Sequence, residues 1–61
     1  MMENQELIKS GVEHPSPHRK GCFGDLIQLR YSGIYALRQG AVIISVPQDW
    51  ASKIAAQQKG A

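Results

Sequence analysis

Apolar residues are sparse at the start of this chain and dense from Phe23 onward. Residues 3–9 (ENQELIK) offer only the adjacent pair Leu7 and Ile8, enough for a marginal helical turn or two. The stretch 13–21 (EHPSPHRKG) has no apolar period, and Pro15 and Pro17 disfavour both helix and central strand. Residues 1–20 therefore read as a flexible polar tail, and residues 21–61 as the folded domain. Within the domain, residues 25–31 (DLIQLRY) set Leu26, Gln28 and Arg30 against Ile27, Leu29 and Tyr31. That is the period of a strand, with Ile27, Leu29 and Tyr31 as the expected inner face. Ser32-Gly33 supplies a turn, residues 34–38 (IYALR) a second strand, and Gln39-Gly40 another break. Residues 41–46 (AVIISV) are the strongest strand, rich in β-branched side chains, and Pro47 ends it. A helix is expected over residues 48–58. Asp49 suits its first turn, Trp50 with Ile54 and Ala51 with Ala55 form an apolar stripe, and Gly60 serves as the stop.

A competing pattern makes residues 25–39 one helix, capped by Asp25 and stopped by Gly40. Tyr31, Ser32, Gly33, Ile34 and Tyr35 are weak helix formers and argue against it. The expected fold is a small α+β domain, mainly β, of three short strands followed by one C-terminal helix. The expected core is Ile27, Leu29, Ile34, Tyr35, Leu37, Val42, Ile44, Val46, Trp50 and Ile54.

Size changes this picture. A chain of 61 residues buries only about 60% of its unfolded surface and makes a marginal monomer. The single cysteine, Cys22, excludes an intramolecular disulfide and any cysteine cage for zinc within this chain. Oligomerisation remains, and a homodimer is expected. No apolar run is long enough to span a membrane, and neither an export signal nor a cysteine pair is seen, so the expected location is cytoplasmic. Charge is uneven: residues 1–17 carry a net −2 and residues 18–61 a net +4.

Little here suggests catalysis. His14 and His18 are four apart, but the intervening prolines spoil a shared helical face and no third ligand is near. Cys22 close to His18 suggests a thiolate pair, yet a mobile segment does not hold catalytic geometry. The chain is expected to be no enzyme and to need no cofactor or metal.

Residues 38–60 (RQGAVIISVPQDWASKIAAQQKG) resemble the AbrB/MazE-like, looped-hinge family of DNA-binding domains. Gly40 resembles the family's turn glycine, residues 42–46 its β-branched strand and Val46-Pro47 its Ile-Pro pair. Asp49-Trp50 is similar to the acidic-Trp pair of archaeal-type members, and Lys59-Gly60 to the turn after the helix. Residues 24–29 (GDLIQL) resemble the family's following strand, here placed first, so the order is permuted. Ala41 departs from the arginine that some members carry after the glycine. The resemblance implies a dimeric, swapped-hairpin-like barrel that contacts duplex DNA through basic strand and hinge residues. The positions it points to are Arg30, Arg38 and Lys53, with Arg19 and Lys20 reaching from the tail.

Two functions follow as expectations. One is a small dimeric DNA-binding transcriptional regulator or antitoxin-like protein, which needs a continuous basic face. The other is a small non-enzymatic interaction protein that inhibits or adapts a larger protein, which needs an exposed apolar patch with scattered basic residues.

Overall fold

A computed structural model describes residues 4–59; the expected helix stop, Gly60, lies outside them. Four antiparallel strands run in sequence order across one sheet: β1 (Gln5–Glu13), β2 (Phe23–Leu29), β3 (Tyr35–Gln39) and β4 (Val42–Ser45). Helix α1 (Gln48–Lys59) follows and packs against β1 and β3. The three expected strands and the helix occupy the expected segments, and residues 25–39 form two strands rather than one helix.

Two expectations are corrected. The sheet is a single open meander with β1 and β4 at its edges, so no barrel forms. It also has four strands, because residues 5–13 of the expected tail form β1. The pattern there is hidden by two register shifts, between Leu7 and Lys9 and between Lys9 and Val12. Each shift breaks the two-residue period that marks a strand. Gly11, with φ +66°, adopts the left-handed backbone beside the second shift. The strand is made by its partner β2 more than by its own composition.

The turns follow their residues. Gly40-Ala41 joins β3 to β4 as a two-residue loop closed by the Gln39–Val42 pair. Gly40 has φ +59° and no non-glycine residue among those described has positive φ, which fits a hairpin with glycine first. The longer β2–β3 loop closes through Leu29 N–H to Ile34 O (2.8 Å) and Gly33 N–H to Leu29 O (2.6 Å).

The core lies between the sheet and α1. Leu26 pairs with Leu37, and Leu37 with Ile44, so the three form one row across β2, β3 and β4. Leu26 and Leu37 are fully buried, and Val12, Val46 and Ala51 complete the cluster. Ile8, Tyr35, Ile44, Trp50 and Ile54 pack around it. The helix therefore covers the Leu26 face of β2, not the expected face of Ile27, Leu29 and Tyr31. Ile34 and Val42, expected in the core, are exposed. Both faces of β2 carry aliphatic residues, so alternation does not choose between them. The choice falls to the face that continues apolar across β3 and β4.

Polar side chains tie the layers together. The Gln48 amide accepts from Tyr35 N–H and donates to Tyr35 O, both at 3.0 Å, pinning the start of α1 to the start of β3. Gln58 Nε2 donates to Ile8 O (3.1 Å) at the other end of the helix. His14, just after β1, is buried. Its Nδ1 accepts from Ser16 N–H and its Nε2 lies 3.1 Å from Ser45 O. A carbonyl only accepts, so the neutral ring carries its proton on Nε2.

Candidate interaction surface

Among the described residues, no element covers the sheet face away from α1. Register places Leu7 and Gln5 of β1 on it. Glu13 of β1 stands beside Phe23, and Phe23, Asp25, Ile27 and Leu29 of β2, Ala36 and Arg38 of β3, and Ile43 and Ser45 of β4 share the face. An antiparallel sheet commonly turns a polar face to water. This one presents Leu7, Phe23 and Ile43 about half exposed.

Arg38 crosses the middle of that face. Its guanidinium donates to Asp25 Oδ2 (3.1 Å) and to Gln5 Oε1 (3.0 Å). Arg38 stands beside Asp25 on β2, whereas Gln5 stands beside Leu29. The line joining them passes over Ile27. This explains how Ile27 is only 1% exposed on a face with no second layer. The arginine stem is an apolar cover and its head an ion pair. Exposed apolar residues thus surround a charged centre that contains both signs.

The five basic residues expected to contact DNA do not converge. Arg19 and Lys20 lie in and after a short 3₁₀ turn (Pro17–Arg19) of the β1–β2 connection. Arg30 lies in the β2–β3 loop, at the opposite end of β2, and pairs with Glu6 at 3.3 Å. Arg38 is on the open face, held by Asp25 and Gln5. Lys53 is an exposed residue of α1, which packs on the other side of the sheet.

Nor do the histidines and the thiol assemble a reactive centre. His14 is bonded through both ring nitrogens, and His18 is exposed in the 3₁₀ turn. Cys22 is half-buried, and its carbonyl accepts from His14 N–H at 2.8 Å. Among the described residues, no group of three or more His, Cys, Asp or Glu is placed to hold a metal ion. No helix among them is long and apolar enough to cross a membrane.

The open face is hidden in the sequence because Leu7 falls in the expected tail, Ile27 and Leu29 in the expected core, and Phe23 and Ile43 in neither. A signal was present, in that β2 is aliphatic on both sides and α1, the only α-helix among the described residues, covers one. Compared with protein-family models, with curated proteins and with solved structures, the chain matches none.

Proposed function

We propose that this chain is a non-enzymatic interaction module that binds protein through the open face of its sheet. The observation that carries this reading is the ring of half-exposed Leu7, Phe23 and Ile43 around the Arg38–Asp25 pair. Apolar anchors around a desolvatable arginine are the composition of a protein interface. Support also comes from the dispersal of the basic residues over separate loops and opposite layers. Duplex binding draws its affinity from several phosphate contacts made together, which asks for a continuous basic surface.

A photo-crosslinking residue placed at position 23, on the open face, and separately at position 53, on α1, tests the reading in cells that make the chain. Protein adducts from position 23 and few from position 53 are expected. Adducts with nucleic acid, or protein adducts equally frequent from both positions, overturn it.

A further inference from the structure

We draw no further inference here: the strongest candidate, the open face of the sheet with half-exposed Leu7, Phe23 and Ile43 around the Arg38–Asp25 pair, carries nothing beyond the reading already given, because nothing in the structure shows what covers it.

Discussion

Leu26 and Ile27 are neighbours on β2 with almost the same exposure, 0% and 1%, but they are covered by different things. Leu26 lies under α1, with Leu37 and Ala51 in the same cluster. Ile27 lies under the stem of Arg38, held across it by Asp25 and Gln5. Truncating a buried aliphatic to alanine costs about 2–5 kcal/mol, the upper part of the range applying where the walls do not collapse. The helix is fixed at both ends by Gln48 and Gln58, so Leu26→Ala leaves a lasting cavity and should cost about 3–4 kcal/mol. An arginine side chain settles into a gap and water enters from the open side, so Ile27→Ala should cost about 2 kcal/mol or less. A chain of this length has a total stability of roughly 3–9 kcal/mol, so Leu26→Ala removes a large share of it. Urea unfolding followed by Trp50 fluorescence, at a few micromolar chain so that self-association stays small, measures both. Arg38→Ala adds a cross-check. Combined with Ile27→Ala it should cost clearly less than the sum of the two, because the stem and the residue beneath it share one contact. Equal costs for Leu26→Ala and Ile27→Ala, or a higher cost for Ile27→Ala, would refute the account of how the open face is built.

Gly24→Ala should destabilise by about 1–3 kcal/mol in the same assay, because an added Cβ would stand 2.5 Å from the carbonyl oxygen of Arg38 on β3. Gln48→Ala removes both bonds to the Tyr35 backbone and should cost about 1–2 kcal/mol, with faster hydrogen exchange at Tyr35 N–H as the local readout. His14→Leu keeps the apolar volume but leaves the Ser45 carbonyl without its donor, at a cost of about 1–3 kcal/mol. Nitrogen NMR of the wild-type ring at neutral pH should show the proton on Nε2; a proton on Nδ1 would contradict the Ser16 contact.

What could be read in the sequence was local. The β-branched run before Pro47, the Gly40 turn and the Trp50–Ile54 stripe each state their structure within a few residues, and β4, its hairpin and α1 appear where they predict. What could not be read depends on pairing between distant segments. Residues 5–13 look like tail because two register shifts erase their alternation, and only the ladder with β2 makes them a strand. The inner face of β2 was misassigned for a related reason. Ile27, Leu29 and Tyr31 outnumber Leu26 locally, but Leu26 stands in line with Leu37 and Ile44 only once the hairpins set their registers. The candidate surface inherits that difficulty. Arg38 reads as a free cation before the hinge glycine, and only register shows Asp25 beside it and Gln5 within reach. Arg30 likewise finds Glu6 only through β1.

The side chains that close the two ends of the sheet have a consequence for how such molecules assemble. β1 and β4 are the borders, and on each a backbone carbonyl is taken by a side chain from elsewhere: Ile8 O by Gln58 and Ser45 O by His14. The register shifts bend β1 further away from the straight form a new strand would copy. A chain arriving sideways thus finds one acceptor on each border already engaged, which weakens a ladder extended from either edge. Contact with other molecules is left to the broad face, which offers no ladder to extend. A protein this small can then carry an apolar face without offering its borders to a growing ribbon.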